Sequence, residues 1–191
     1  MALELKINVT ANKESFTFFE TTCAYDAVTN DTGWGKPNPE TADATSATLY
    51  ITQPNNDSVT DTIDLSTYFP VSDGTGIRYF YTDLEDFTGK PTIQDGVWNF
   101  EYSVFVDEGG EDPVEYTASC KFLFDANIRC CLAKRAKRIN VETCDSAFDE
   151  ETFQLIMLHQ QAKNAFCAQQ YDKAETIMNY LIKQCNCCCA D

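Results

Sequence analysis

Along residues 1–124, apolar and polar positions alternate with a period of two. The stretches LELKINVT (3–10), SFTFFETT (15–22), TSATLYIT (45–52), SVTDTIDL (58–65), GIRYFYTD (76–83), GVWNFEYSVFV (96–106) and VEYTASCKFLF (114–124) are rich in β-branched and aromatic residues, which suit a pleated, half-buried surface. In the sixth stretch Val97, Asn99, Glu101 and Ser103 fall on one side, and Trp98, Phe100, Tyr102 and Val104 on the other. Between the runs lie QPNND, SDGTG, TGKPTIQDG and DEGGEDP, whose Gly, Pro, Asn and Asp supply the φ values and local hydrogen bonds of turns. Seven short strands punctuated in this way predict an antiparallel β-sandwich.

After Phe124 the period changes to 3.6. Ile128, Cys131, Leu132, Ala136 and Ile139 share one helical face behind Asp125 as a cap, while Arg129, Lys134, Lys137 and Arg138 occupy the other side. This predicts an amphipathic helix over 125–139 with a basic back. A second helix over 149–167 follows Ser146, with Asp149 at capping-box spacing, and buries Leu155, Leu158, Ala162 and Phe166. A third over 172–185 buries Ala174, Ile177, Met178, Leu181, Ile182 and Cys185. The link CAQQYDKAE is short enough to force an antiparallel helical hairpin, similar in packing to one tetratricopeptide-type hairpin but without tandem copies. The expected class is α+β: a β-sandwich over 1–124, then a helical appendage with a Cys-rich tail over 125–191.

Composition sharpens this picture. With 43% hydrophobic and 13% aromatic residues among 191, the chain is far from the composition of disorder and predicts a folded protein. The start, MALELKINVTANKESF, has no basic lead followed by a long apolar run, and no eighteen consecutive apolar residues occur. The expectation is a soluble chain made in the cytosol, with no membrane association. Charge divides the chain: residues 1–119 hold five basic against 21 acidic residues, and residues 120–191 hold nine of each, so the net charge of −16 belongs to the first part. Such a surface repels phosphate backbones and argues against nucleic-acid binding; it equally serves as a well-solvated face.

The cysteines divide the same way. Only Cys23 precedes residue 120; Cys120, Cys130, Cys131, Cys144, Cys167, Cys185, Cys187, Cys188 and Cys189 follow. A secreted disulfide scaffold would distribute its cysteines through short loops behind an export signal, so most of these are expected to be reduced thiols. The tail CNCCCAD sets Cys185 and Cys188 three apart, but it lacks paired knuckles, and the chain has one histidine. No metal or other cofactor is therefore assigned, with buried or tolerated thiols preferred over a zinc site.

Catalytic signatures are absent: no G-x-S-x-G elbow, H-E-x-x-H pair, P-loop or dinucleotide-binding glycine pattern occurs. His159 lies in the second predicted helix beside Leu158 and Ala162 and reads as a packed helix histidine rather than a base. The abundant carboxylates form no constellation of the glycosidase kind, so no enzyme is expected. The most distinctive segment is DTGWGKPNPE (31–40). Gly33 and Gly35 admit backbone shapes closed to other residues, and Pro37 and Pro39 fix φ and extend Lys36 and Asn38, which makes a stiff loop. Trp34 then folds back as a lid, inserts into a neighbouring subunit, or stacks on a sugar ring. A pre-ordered loop lowers the entropy cost of docking, and tryptophan is favoured at hot spots, which makes Gly33, Trp34, Gly35, Pro37 and Pro39 interface candidates together with Arg129, Lys134, Lys137 and Arg138.

DTGWGKPNPE, TSATLYIT, DGVWNFEYSVFV and CNCCCAD, in that order across nearly the whole chain, resemble small structural proteins of tailed phages infecting Bacteroidetes-type hosts, including crAss-like phages. The resemblance implies a non-enzymatic neck or tail component of the virion. It further implies a homo-oligomeric ring in many copies between the portal and the tail, with the portal or other neck and tail proteins as partners. The alternative reading is a carbohydrate-binding or host-attachment module using Trp34, Trp98 and the Tyr-rich strands, with calcium held by Asp-rich turns.

Overall fold

The computed structural model describes residues 3–11, 15–24, 44–64, 77–83, 93–106, 112–137 and 150–185. Among them are strands β1 (Leu3–Ala11), β2 (Ser15–Ala24), β3 (Ala44–Thr52), β4 (Asp61–Asp64), β5 (Ile77–Asp83), β6 (Gly96–Val106) and β7 (Val114–Phe124). Helices α1 (Ala126–Lys137), α2 (Glu150–Cys167) and α3 (Tyr171–Cys185) follow. The fold is thus mixed, strands first and helices after. The chain separates into two compact units: residues 1–93 with 99–122, and residues 94–98 with 123–191.

The described residues of the first unit form two sheets. In the three-stranded sheet β1 pairs with β2 and β2 with β5, both antiparallel, from Leu3 opposite Ala24 to Ala11 opposite Phe16 and from Ser15 opposite Asp83 to Thr21 opposite Ile77. The four-stranded antiparallel sheet has the order β4-β3-β6-β7, with an irregularity between Ala44 and Ser46 where β3 meets β6. The period-two pattern places Ala47, Leu49 and Ile51 of β3, and Phe100, Tyr102 and Val104 of β6, in the core. Phe16 is fully buried and sets its ring edge-on to Phe100 (5.2 Å between centroids) and Phe122 (6.2 Å).

The turn between β3 and β4 follows from its residues. Pro54 presets φ at the second turn position, and Asn55 adopts φ 67° at the third, so Asn56 N–H reaches Gln53 O at 3.3 Å, the arrangement of a type II turn. Thr60 then closes the loop by donating both its N–H (2.8 Å) and its hydroxyl (3.0 Å) to Ile51 O. This starts β4 at Asp61, where the sequence pattern predicts a strand over 58–65; Leu65 lies outside the described residues.

In the second unit the three helices share one apolar cluster: Ile128 and Leu132 of α1, Leu155 and Ala162 of α2, Met178 and Leu181 of α3. Val97 packs with Ala165 and Ala174 in a second cluster. Leu158 and Phe166 of α2, and Ile177 and Ile182 of α3, are half-buried as flanks of these clusters. Ala136, expected on the buried face of α1, is exposed; about one turn beyond Leu132 that face has left the cluster, and a methyl group there loses little by meeting water. Ser146, Asp149 and Ile139 lie outside the described residues. The end of α2 is a Schellman cap: Gln170 N–H donates to Ala165 O and Gln169 N–H to Phe166 O, both at 2.9 Å, with Gln169 at φ 59°. Gln170 O then accepts from Ala174 N–H as α3 begins, and the Phe166 and Tyr171 rings meet edge-on at 5.4 Å across the turn.

Candidate functional site

The densest polar constellation among the described residues gathers at the first turn of α1. Helix N-termini expose unpaired N–H groups and a partial positive charge. Asp125 occupies the cap position, and its carbonyl accepts the Arg129 N–H at 2.9 Å. Its side chain, however, does not cap the helix as the sequence reading expected. That role falls to Asp95, whose Oδ1 accepts from Asn127 N–H (3.1 Å) and Oδ2 from Ile128 N–H (2.7 Å). Gly96, at φ 140°, takes the chain away from Asp95 in a region that favours glycine. Trp98 Nε1 donates to Gln94 O at 2.9 Å, tying down the same segment.

With the cap supplied by Asp95, the Asp125 carboxylate faces three donor side chains, two of them cations. Oδ1 receives Arg129 Nε at 2.8 Å; Oδ2 receives His159 Nε2 at 2.9 Å and Lys163 Nζ at 3.1 Å. An ionised carboxylate only accepts hydrogen bonds, so His159 Nε2 carries the hydrogen. Burial pushes the Asp125 carboxyl up, but the His159 and Lys163 hydrogen bonds and the Arg129 and Lys163 charges outweigh it, holding the carboxyl below the usual range. At Asp95, burial wins over its two backbone donors, and with the neighbouring Asp125 charge the carboxyl is pushed up to about 6. Both carboxylates are buried. Chemically, the cluster clamps residues 94–98 to α1 and α1 to α2; the polar atoms of each carboxylate are engaged by the chain itself.

Gly33, Trp34, Gly35, Pro37, Pro39 and Arg138 lie outside the described residues. Arg129 is 61% exposed but turned inward onto Asp125, because four residues of helix bring its guanidinium back over the cap. Lys134 is exposed on α1, and Lys137 is its last residue. Arg135, absent from the expected basic set, is half-buried: its Nη2 donates to Gln184 O at 2.8 Å and its Nη1 lies 3.5 Å from Glu151. Trp98, offered as a sugar platform in the alternative reading, is 1% exposed and unavailable for stacking.

A second polar feature belongs to the first unit. Thr48, Tyr50 and Thr52 of β3 stand opposite Ser103, Glu101 and Asn99 of β6, on the face away from the core. Ser103 donates to Glu115 at 2.6 Å. A groove of about 460 Å³ is lined there by Tyr50, Glu101, Ser103, Glu115, Thr117 and Ser119.

The thiols are also partly corrected. Cys131 and Cys185, each on the apolar face of its helix, are joined in a disulfide with Cα atoms 5.8 Å apart, whereas Cys120, Cys130 and Cys167 are free. Facing the same cluster brought them within bonding reach, which the composition argument for reduced thiols did not weigh. Burial pushes the Cys120 thiol up to about 12. Among the described residues no group of three or more His, Cys, Asp or Glu side chains is placed to hold a metal ion, and no helix is long and apolar enough to cross a membrane. No protein-family model matches the chain, and no curated protein is significantly similar to it.

Proposed function

We propose that the chain is a non-enzymatic structural protein of a virion that works by assembly, as a ring of many copies at the head-to-tail junction beside the portal. The observation that carries this reading is the saturation of the buried charged cluster. Asp95 is engaged by two backbone donors and Asp125 by the Arg129 and Lys163 cations and the His159 ring N–H, an arrangement that fixes a scaffold rather than awaiting a substrate. Within that scaffold we take the two sheets to face each other as a β-sandwich, supported by the Phe16 ring against Phe100 and Phe122, and α2 with α3 to form an antiparallel hairpin about the Gln169 turn. The order of the DTGWGKPNPE, TSATLYIT, DGVWNFEYSVFV and CNCCCAD stretches supports the virion setting. The net charge of −16 suits a wall that DNA passes without adhering.

Rings form when head-to-tail contacts close. Sedimentation and two-dimensional class averages of the purified chain test this: closed rings are expected, and Trp34→Ala is expected to weaken association about 30-fold, the equivalent of roughly 2 kcal/mol, with its unfolding temperature unchanged. A loss of folding in Trp34→Ala would make the tryptophan a lid of the core instead. A strictly monomeric protein at high micromolar concentration would reject the ring.

The groove on the outer sheet face favours a second reading, a carbohydrate-binding module. Tyr50 offers a ring face and Glu101, Glu115, Ser103, Thr117 and Ser119 offer acceptors and hydroxyls, the mixture that neutral sugars bind. Titration of a monomeric preparation with neutral glycans, lost in Tyr50→Ala, would select it over the ring.

A further inference from the structure

Two buried sulfurs link elements that are distant in sequence. Cys131 lies midway along α1 and is fully buried; Cys185 is the last residue of α3 and is 5% exposed. Their bridge closes a span of 54 residues. Four residues beyond Cys131, on the same face of α1, Arg135 donates to the carbonyl of Gln184. One face of α1 therefore grips the end of α3 twice, by a hydrogen bond at Gln184 and by sulfur at Cys185. The apolar cluster of Ile128, Leu132, Leu155, Ala162, Met178 and Leu181 and the Arg135 contact are independent of the bridge, so they keep the two thiols facing each other when the bond is broken.

We propose that Cys131 and Cys185 form a redox latch: a facing dithiol under reducing conditions that closes, on meeting a small-molecule disulfide of the oxidised-glutathione kind, into a covalent tie between α1 and the end of α3. Cys185 is the sulfur that exchanges with solution, because terminal helical turns open more readily than a buried mid-helix position. In closing, the Cys185 thiolate attacks one sulfur of the small disulfide, forming a mixed disulfide and releasing one small thiolate. The Cys131 thiolate then attacks the Cys185 sulfur, and the second small thiolate leaves. The two protons lost by the cysteines are taken up by the two released thiolates, and the two electrons pass to the small disulfide. Opening is the reverse: a small thiolate attacks Cys185 and the Cys131 thiolate departs, then a second small thiolate attacks the small sulfur of the mixed disulfide, the Cys185 thiolate departs and the small disulfide is re-formed.

The test equilibrates the full chain across a series of reduced and oxidised glutathione, traps free thiols by alkylation, maps the peptides and records thermal unfolding at each point. The expected result is one reversible transition in which Cys131 and Cys185 alone change state together, with Tm higher by roughly 10 °C in the closed form, as a cross-link over a span of this length implies. Cys185→Ser is expected to abolish the transition and unfold at the temperature of the reduced wild type. Three results would overturn the latch. One is a bridge that survives full reduction of the glutathione pool, which marks a permanent staple. The second is oxidised Cys185 mapped to Cys130, Cys187, Cys188 or Cys189. The third is equal Tm in the two states of the wild type, a comparison that needs no variant.

Discussion

The charged cluster at α1 is governed by which side chain does the capping. Asp95 fills that place across a gap of 32 residues to Asn127, and Asp125 is thereby released to the cations. Asp95→Ala removes both acceptors from the Asn127 and Ile128 N–H groups, and a loss of about 1–2 kcal/mol in urea unfolding is expected. The pH dependence has a definite sign. The folded-state pKa of Asp95, about 6, lies above the ordinary carboxyl value of 3.8, so the folded form binds the proton more tightly. Its contribution is fully present below about pH 4 and is lost as pH rises through about 6, a decline on the order of 3 kcal/mol. Asp125 runs the other way: its carboxyl is lowered, so its stabilisation is present above the ordinary carboxylate range and is lost as pH falls through the lowered value. Asp95→Asn should flatten the pH 4–6 limb of the stability profile while leaving the acid limb of Asp125 in place. Arg129→Ala, on a side chain 61% exposed, should cost under about 0.5 kcal/mol, whereas Asp125→Ala should cost about 2–3 kcal/mol by leaving His159 and Lys163 beside an empty place. Part of this cluster was legible beforehand. Asp125 and Arg129 stand four apart, as do His159 and Lys163, and helical spacing puts each pair on one face. Asp95 was hidden in a turn-like QDG, because nothing local marks an acid whose partners arrive with a later helix.

At the level of elements, periodicity carried most of the information, since each strand and helix buries one face and repeats apolar residues to do so. The alternation of Ala47, Leu49 and Ile51 against Phe100, Tyr102 and Val104 is the core seen in the sheet. The chain ends of elements were less legible, because capping depends on single residues. Gln169 holds the C′ position of α2 at φ 59°, a conformation glycine adopts without steric penalty and glutamine does not. Gln169→Gly is therefore expected to stabilise the helical unit by about 0.5–1 kcal/mol, read as a rise in Tm with unchanged helical circular dichroism. A fall would mean that the Gln169 side chain contributes contacts beyond its backbone role. Cys131 and Cys185 were both visible on apolar helix faces, but their pairing was not, because a hydrophobic stripe states that a residue faces the core and is silent on which residue it meets there.

If the chain assembles as proposed, the question for the whole molecule is which surfaces copies present to one another. Residues 1–119 carry 21 acidic against five basic residues, and residues 120–191 are balanced, so contact between two first-part surfaces is repulsive and contact between a first part and a cationic helix is attractive. Arg129 is engaged by Asp125 and is a poor candidate for that contact; reversing it would place a third carboxylate beside Asp95 and Asp125 and disturb the fold itself. Lys134, Lys137 and Arg138 are the residues to reverse. If assembly uses them, raising ionic strength from about 0.05 to 0.5 M shrinks the Debye length from roughly 14 to 4 Å and should weaken wild-type association by about tenfold in sedimentation equilibrium. The Lys134→Glu, Lys137→Glu, Arg138→Glu variant should associate weakly at low salt and gain from added salt. Association of the wild type that strengthens with salt would instead place like-charged acidic faces at the contact, and the basic side of α1 would then lie outside it.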